Sequence, residues 1–388
     1  MLIAIPKECR PYEGRVAASP DAVKKYVGLG LDVVVESDAG NAANLTDAMF
    51  REAGARIAAN TVTALQDADL ILKVQRPLTA AEGTDEIALM KKGAILVANL
   101  AATTHRDEVR FYAEAGLTAF AMELMPRISR AQGMDVLSSQ SNLAGYKAVV
   151  DAAALFTRAL PMMMTAAGTV PPARVLVIGA GVAGLQAIAT AKRLGAVVYA
   201  FDVRPAVKEQ VESLGGKFVM VDEAAMKGAE TTGGYAKEMG EVYKKKQAMV
   251  VHEQLKKTDI VITTALIPGK PAPVLITEDM VKDMKPGSVI MDLAVEAGGN
   301  CPLSEYGKTV VWQGVNLVGP ANLPSTITQD ASVLFARNLY NFLQPMVDKA
   351  SRSLQIKWDD ELVKGTCVCH GGKVVHPMLK EGSDGTDR

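Results

Sequence analysis

Cysteine is scarce in this chain, and its few occurrences argue against both disulfides and metal. Four cysteines occur in 388 residues, too few for a disulfide framework in a chain of this size. A reducing compartment is the natural setting, and we predict a cytoplasmic chain. Cys367 and Cys369 precede His370, but this spacing is tighter than that of the usual zinc pair, and His370-Gly371-Gly372 is typical of a hairpin turn. We therefore expect no metal site.

An excess of either charge and long apolar runs are also missing. The chain has 42 lysine and arginine residues against 43 acidic residues, so its net charge is −1. This balance gives no electrostatic reason to expect nucleic acid or an anionic membrane as a partner. The longest charge-free apolar stretch, residues 159–173, is 15 residues long and contains three prolines, so it is too short to cross a bilayer. We expect no direct membrane insertion, and any membrane association must come through a partner.

The pattern that is present indicates an α/β protein. Short apolar runs alternate with helical stretches, which is typical of parallel sheets with helices on both faces. The length allows two domains with separate cores. We predict two Rossmann-like, doubly wound parallel-sheet domains separated by a cleft. The predicted N-terminal domain comprises residues 1–144 plus a returning segment, 327–388, and the second domain comprises residues 145–326.

Individual elements follow from the same periodicity. In the first domain the predicted strands are residues 2–5, 31–36, 70–74, 94–99 and 117–121, and the predicted helices are residues 20–29, 46–52 and 105–115. In the second domain the predicted strands are residues 175–178, 197–201, 217–221, 259–264 and 288–293. A long helix is expected to start at a cap formed by Ser138 or Ser139 and to run to about Leu160. A helix at about 332–342 then returns the chain to the first domain, where residues 354–376 add short β segments.

A glycine-rich turn carries the main functional signal. The apolar run 175–178 leads into Gly179, Gly181 and Gly184, a helical pattern follows, and a second apolar run ends at Asp202. The first glycine permits the tight turn, the second lets the backbone approach a pyrophosphate, and the third lets the helix pack closely. The helix N-terminus offers N–H groups to the phosphates, and Asp202 can accept both hydroxyls of a ribose. The pattern predicts a bound dinucleotide; the alternative is a glycine turn in a sheet without a ligand.

Asp202 also chooses between dinucleotides. A carboxylate at this position repels a 2′-phosphate, so we predict NAD(H) rather than NADP(H). Arg204 lies two residues further on and is interpreted as a secondary contact or a solvated side chain.

The segment 222–247 is longer than a minimal nucleotide fold needs. It is polar and lysine-rich, and Gly233-Gly234 stands beside Tyr235. Long loops in compact domains are often functional. We predict a mobile flap that closes over the nucleotide with Tyr235 inward; a solvated helical insertion is the alternative.

Several motifs give the chain a family resemblance. Segments 121–132, 137–146 and 294–301, with the glycine turn and the segment around Tyr235, closely resemble the NAD(H)-binding components (domain I) of proton-translocating nicotinamide nucleotide transhydrogenases. The resemblance covers nearly the whole chain. It implies a Re/Si-specific enzyme, active only with an NADP(H)-binding partner domain, in which a membrane-embedded subunit couples hydride transfer to proton translocation. It further implies a homodimer that associates peripherally with the inner membrane through the partner subunits.

The resemblance also implies roles for particular residues. In the loop 127–135, Arg127 and Asp135 are expected to hold the nicotinamide carboxamide, Gln132 to reach the partner nucleotide and Ser138 to add a hydroxyl. Hydride transfer between two nicotinamides releases no proton at the reacting carbons, so orientation at about 3–3.5 Å is needed and a general base is not. The NAD(H)-binding residues predicted are Gly179, Ala180, Gly181, Val182, Gly184, Asp202, Val203, Arg204, Gly234, Tyr235, Gln247 and Leu266.

Alanine dehydrogenase is a related family that shares the opening pattern Ile5-Pro6-Lys7-Glu8. Its pattern has a lysine, a histidine and an aspartate where this chain has Gln75, Asn99 and Glu296, and only Arg15 of that substrate set remains. Because oxidising an amine needs a base, these replacements disfavour amino-acid chemistry. An alanine-dehydrogenase-like enzyme and an NAD(H)-sensing module remain the two alternatives to the transhydrogenase interpretation.

Overall fold

The computed structural model describes residues 1–221, 240–267 and 270–380. In chain order the strands within these ranges are β1 (Leu2–Ile5), β2 (Asp32–Glu36), β3 (Arg56–Ala58), β4 (Leu70–Gln75), β5 (Ile95–Asn99), β6 (Thr118–Ala121), β7 (Met163–Thr165), β8 (Gly168–Val170), β9 (Arg174–Ile178), β10 (Val197–Phe201), β11 (Lys217–Phe218), β12 (Ile260–Thr263), β13 (Val289–Asp292), β14 (Lys308–Trp312), β15 (Val315–Gly319), β16 (Val347–Asp348), β17 (Ser353–Leu354), β18 (Cys367–His370) and β19 (Lys373–Val374).

Helices alternate with most of these strands. The α-helices of the described residues are α1 (Pro20–Gly28), α2 (Asp47–Glu52), α3 (Thr61–Leu65), α4 (Arg106–Glu114), α5 (Val136–Leu155), α6 (Val182–Arg193), α7 (Lys208–Ser213), α8 (Glu241–Leu255), α9 (Glu278–Lys282), α10 (Thr328–Leu343) and α11 (Glu361–Thr366). Across the described ranges, no helix combines the length and the apolar character that crossing a membrane requires.

The first compact unit comprises Met1–Gln140 and the described residues from Ser325 onward. Its strands form a sheet in the order β19-β18-β6-β5-β4-β1-β2-β3, in which β6 to β3 are parallel and β18 and β19 are antiparallel. Ile3 and Ile5 lie in one apolar core and Ala4 in another. Both faces of this sheet are therefore covered, as a parallel sheet requires.

The second compact unit comprises Ser141–Pro324. Its main sheet has the order β11-β10-β9-β12-β13-β15-β14, and only β14 pairs antiparallel with its neighbour. The parallel strands follow the 3-2-1-4-5-6 order of doubly wound dinucleotide folds, with the switch in strand order between β9 and β12. Val175 and Val177 face one core, and Leu176 and Ile178 face the other. The predicted α/β class with doubly wound parallel sheets is confirmed.

Helix α5 differs from its prediction at both ends. It begins at Val136 because the Asp135 carboxylate accepts the backbone N–H of Ser138 at 3.0 Å, so Asp135 is the cap and the assignment to Ser138 or Ser139 was wrong. It ends at Leu155 rather than near Leu160. Pro161 disfavours helical backbone at the residue before it, which makes an end at Leu160 unfavourable.

Two β-hairpins were not predicted as such. Strands β14 and β15 are joined by Gln313 and Gly314, both with positive φ, which suits a tight two-residue turn. Strands β7 and β8 form a separate hairpin whose side chains are exposed. The predicted strand 217–221 is shorter than expected, since only Lys217–Phe218 pair.

The C-terminal hairpin is confirmed. Strands β18 and β19 are joined by Gly371 and Gly372, both with positive φ, and β18 pairs with β6 of the first unit. Trp358 of the same unit stacks on His370 with ring centroids 4.0 Å apart. In the second unit the Nζ of Lys282 lies 5.9 Å from the centre of the Trp312 ring.

Candidate functional site

The glycine turn after β9 has a geometry that only glycine permits at two positions. Gly179 has φ +96°, and a Cβ there would lie 2.7 Å from Oγ1 of Thr264. That hydroxyl donates a hydrogen bond of 2.9 Å to the Gly179 carbonyl, so it fixes the turn. A Cβ on Gly184 would lie 1.8 Å from the same carbonyl oxygen. The third glycine is thus needed for contact between the helix and the turn itself.

Helix α6 begins directly after this turn. Its N-cap is Gly181, which supplies no side-chain hydrogen bond to the first turn. A Cβ on Gly181 would meet nothing within 4 Å, so the backbone is open to approach at this point. An uncapped helix N-terminus favours an anion through its N–H groups and its dipole. This geometry suits a pyrophosphate.

Asp202 follows β10 and is almost fully buried. Its Oδ2 accepts the backbone N–H of Ala180 at 2.7 Å, and its Oδ1 accepts the backbone N–H of Arg204 at 2.8 Å. The Arg204 guanidinium grips the same carboxylate with both of its edges, Nε to Oδ1 at 3.0 Å and Nη2 to Oδ2 at 2.8 Å. The interpretation of Arg204 as a solvated side chain was therefore wrong, because its side chain is only 14% exposed.

Asp292 and Asn300 shape the ends of the neighbouring strands β12 and β13. Asp292 is fully buried and accepts N–H groups of the following loop and the hydroxyl of Thr263. The Asn300 side chain accepts the Ala265 N–H at 3.1 Å and donates to the Ala265 carbonyl at 2.9 Å. These contacts fix the loop that carries Leu266. Sequence reasoning missed both residues, although an acid ending an apolar strand and an asparagine after two glycines were visible signals.

The remaining predicted nucleotide residues of this unit lie around the same strand ends. Val203 packs against the core that contains Ile178, and Leu266 is half exposed. Gln247 is buried on α8, which begins after Gly240 and therefore takes up residues 241–247 of the segment predicted as a mobile flap. For these residues the flap prediction was wrong, because they form regular helix. Gly234 and Tyr235 lie outside the described residues.

The loop 127–135 belongs to the first unit and is anchored on one side. A 3₁₀ turn spans Ser129–Met134, and the Gly133 carbonyl accepts the side-chain amides of Asn338 and Asn341 at 2.9 and 2.8 Å. Arg130 forms a two-pronged ion pair with Asp360. The loop is thus attached to α10 and to the start of α11.

The four residues predicted to handle the nicotinamide differ in their surroundings. Arg127 and Gln132 have exposed side chains. Asp135 and Ser138 are partly buried and hydrogen bonded to each other as the α5 cap. A structural duty therefore accounts for both of these contacts, and their part in ligand binding stays a prediction.

The positions compared with alanine dehydrogenase lie in differing environments. Arg15 is buried, paired with Glu13 at 2.6 Å and donating to Oε1 of Gln140 at 2.9 Å. Gln75 Nε2 donates to the same Glu13 carboxylate at 2.7 Å. Burial alone would raise the pKa of Glu13, but the hydrogen bonds from Arg15 and Gln75 outweigh it and lower that pKa below its usual value. Asn99 is partly buried and Glu296 is exposed.

Comparison with known families covers almost the whole chain. Residues 4–144 match the family model described as "Alanine dehydrogenase/PNT, N-terminal domain", and residues 148–377 match "Alanine dehydrogenase/PNT, C-terminal domain".

Individual relatives fall on both sides of this family. The chain is 67% identical to the first of the parts into which the NAD(P) transhydrogenase subunit alpha of Rhodospirillum rubrum is divided, over 98% of this chain and 99% of that protein. It is 31% identical to "Alanine dehydrogenase" of Halomonas elongata, over 98% and 96%. Among solved structures, a transhydrogenase from Sinorhizobium meliloti superposes with a TM-score of 0.83 at 51% identity, covering 97% of this chain and 99% of the other.

Proposed function

The chain belongs to the alanine dehydrogenase/PNT family, and we propose that it is the NAD(H)-binding subunit of a proton-translocating transhydrogenase. The observation that carries this proposal is the turn after β9, where open backbone at Gly181 and an uncapped α6 meet the buried carboxylate of Asp202. The much higher identity to a transhydrogenase subunit than to an alanine dehydrogenase supports the choice within the family.

The residues present fit a dinucleotide. The N-terminus of α6 would hold the pyrophosphate, and Asp202 would accept ribose hydroxyls. When bound, NADH supplies the hydride that passes to NADP⁺ on a partner domain. The chain's own task is to hold and orient: we assign carboxamide binding to Arg127 and Asp135, contact with the partner nucleotide to Gln132 and an added hydroxyl to Ser138. Gly234, Tyr235, Gln247 and Leu266 complete the proposed binding set.

The name of the Rhodospirillum rubrum relative, one part of a subunit alpha, supports a multisubunit assembly. We propose an NADP(H)-binding domain and membrane-embedded subunits as partners, with proton translocation in the membrane subunits. The chain then lies in the cytoplasm and associates peripherally with the inner membrane through these partners. Proton translocation and Re/Si specificity are properties of that assembly, and activity requires it.

A homodimer is part of the proposal, and the hairpin β7–β8 supports it. Met162, Met163 and Met164 are exposed there, Met164 at 75%, and residues 159–173 around them contain no charged side chain. Exposed apolar side chains grouped on one element mark interaction surfaces. Light scattering is expected to give a dimer for the wild type and a smaller mass for Met164→Asp.

Reconstitution tests the function directly. The chain is mixed with the NADP(H)-binding partner domain, and hydride transfer from NADPH to an oxidised NAD analogue is followed by absorbance. Transfer that requires both proteins is the expected result. NADH production from alanine and NAD⁺ by the chain alone would favour the alanine-dehydrogenase alternative, and NADH binding without transfer in the mixture would favour a sensing module.

A further inference from the structure

The carboxylate of Asp202 has no acceptor position left for a ligand. A carboxylate offers about four hydrogen-bond acceptor positions. Backbone N–H groups of Ala180 and Arg204 take one on each oxygen, at 2.7 and 2.8 Å. The Arg204 guanidinium takes one more on each oxygen, at 3.0 and 2.8 Å. Any ribose hydroxyl that donates to Asp202 must therefore displace one of these donors.

Only the guanidinium can leave without deforming the fold. The Ala180 N–H belongs to the glycine turn, and the Arg204 N–H belongs to the chain directly after β10, so both are fixed by the sheet. The Arg204 side chain ends in a long flexible stem. We propose that Arg204 is an internal competitor of the nucleotide: its Nε and Nη2 hold the two acceptor positions that the ribose hydroxyls take when NADH binds. This inference rests on the proposed function.

Competition makes stability and affinity move in opposite directions. In the ligand-free chain the guanidinium compensates a carboxylate that is 5% exposed. Removing it leaves a buried charge with only two backbone partners, which destabilises the ligand-free state. The ligand no longer has to displace an ion pair, so its affinity rises.

Arg204 also affects the choice of dinucleotide. Once displaced, its guanidinium stays tethered two residues from Asp202, where a positive charge offsets the repulsion between that carboxylate and a 2′-phosphate. The arginine therefore weakens the discrimination that Asp202 provides. Without it, preference for NADH over NADPH is expected to sharpen.

The test compares the wild type with Arg204→Ala and Arg204→Lys by calorimetric titration of NADH and NADPH and by thermal unfolding without ligand. We expect Arg204→Ala to bind NADH about five- to tenfold more tightly, the size of one or two released hydrogen bonds. Its ligand-free melting temperature falls, and its ratio of NADPH to NADH dissociation constants rises. Arg204→Lys keeps the charge but not the two-edged grip, so it is expected to lie between the two in NADH affinity while retaining NADPH binding.

The outcomes separate this inference from the proposed function. A wild type that binds no NADH overturns both. A wild type that binds NADH, with Arg204→Ala binding it equally or more weakly, overturns the competition alone and makes Arg204 a direct contact of the nucleotide. Tighter binding that comes with an unchanged NADPH to NADH ratio would overturn the selectivity part only.

Discussion

The two units contain parallel sheets of the same kind but neutralise their buried acids in opposite ways. In the first unit a buried lysine, Lys73, lies between two buried carboxylates, 3.3 Å from Glu8 and 3.1 Å from Glu86. In the second unit Asp202 and Asp292 are bound largely by backbone N–H groups of turns. Ion pairs between side chains hold neighbouring elements together, whereas carboxylates on backbone N–H groups fix the shape of loops. We therefore expect substitutions in the first network to act on stability and those in the second to act on ligand binding.

The largest expected effect is on Lys73. Replacing it with methionine leaves Glu8 and Glu86 buried without a cation, and breaking a buried pair in this way costs about 3–5 kcal/mol. Urea unfolding measures the loss in the free energy of unfolding. Lys364→Met is the control, because the Lys364–Asp359 pair is exposed and 3.7 Å apart, and its loss is expected to change stability by less than about 1 kcal/mol. Equal effects of the two substitutions would contradict the comparison.

Gln132 and Asp202 give the next contrast, between chemistry and binding. Gln132→Asn shortens an exposed side chain by one methylene, so NADH affinity of the isolated chain should change little. Hydride transfer in the mixture should fall by about 10²-fold, since small misplacements of reacting groups are this costly. Single-turnover stopped flow beside equilibrium titration measures both quantities.

Asp202→Asn should show the reverse pattern. It removes the charge that ribose hydroxyls use, so NADH binding should weaken about tenfold, with a smaller effect on transfer at saturation. If Gln132→Asn transferred hydride at the wild-type rate, the loop 127–135 would have only a structural role.

The smallest expected effect is on the pH dependence of stability, and it compares two ways of burying an acid within the first unit. The pKa of Glu13 is lowered by Arg15 and Gln75 against the effect of burial, whereas burial raises the pKa of Glu123 despite its hydrogen bonds from Leu100 and Ala102. Stability from Glu13 is thus present above the usual value of 4.5 and lost as the pH falls through the lower folded value. Glu123 acts oppositely, because the folded chain takes up its proton first.

Acid titration of the urea midpoint tests these signs. Glu13→Gln should lose stability less steeply than the wild type on acidification, and Glu123→Gln more steeply. The slopes are compared rather than the midpoints, because each substitution also changes hydrogen bonding at neutral pH. Two variants with parallel slopes would contradict the assignment.

Local patterns predicted the sheet of each unit well, because each strand of a buried parallel sheet is a short apolar run with glycine or polar residues at its ends. The run 175–178 and the acid at Asp202 could be located in this way. Strands β14 and β15 were missed although Gln313-Gly314 separates two alternating segments, since alternation with exposed side chains is a weaker signal than a continuous buried run. Helix α8 was missed because its lysines and glutamates resemble those of a solvated loop.

Side-chain pairing was the part that the sequence did not reveal. Arg204 and Asp202 are two residues apart, and that spacing gives no information on whether the arginine turns back to the carboxylate or out to solvent. Asp135 and Ser138 are both good capping residues, and only the observed hydrogen bond decides between them. Asn300 acts on Ala265, 35 residues away, which no local pattern predicts.

The two tryptophans fall one in each unit, Trp358 against His370 and Trp312 beside Lys282. Each unit thus carries a single intrinsic fluorophore, and the two Trp→Phe variants give emission that reports on one unit at a time. Urea titrations of these variants resolve whether the units lose their structure together or in sequence. The same signals assign the destabilisation caused by Lys73→Met to the unit that contains Trp358, without any added label.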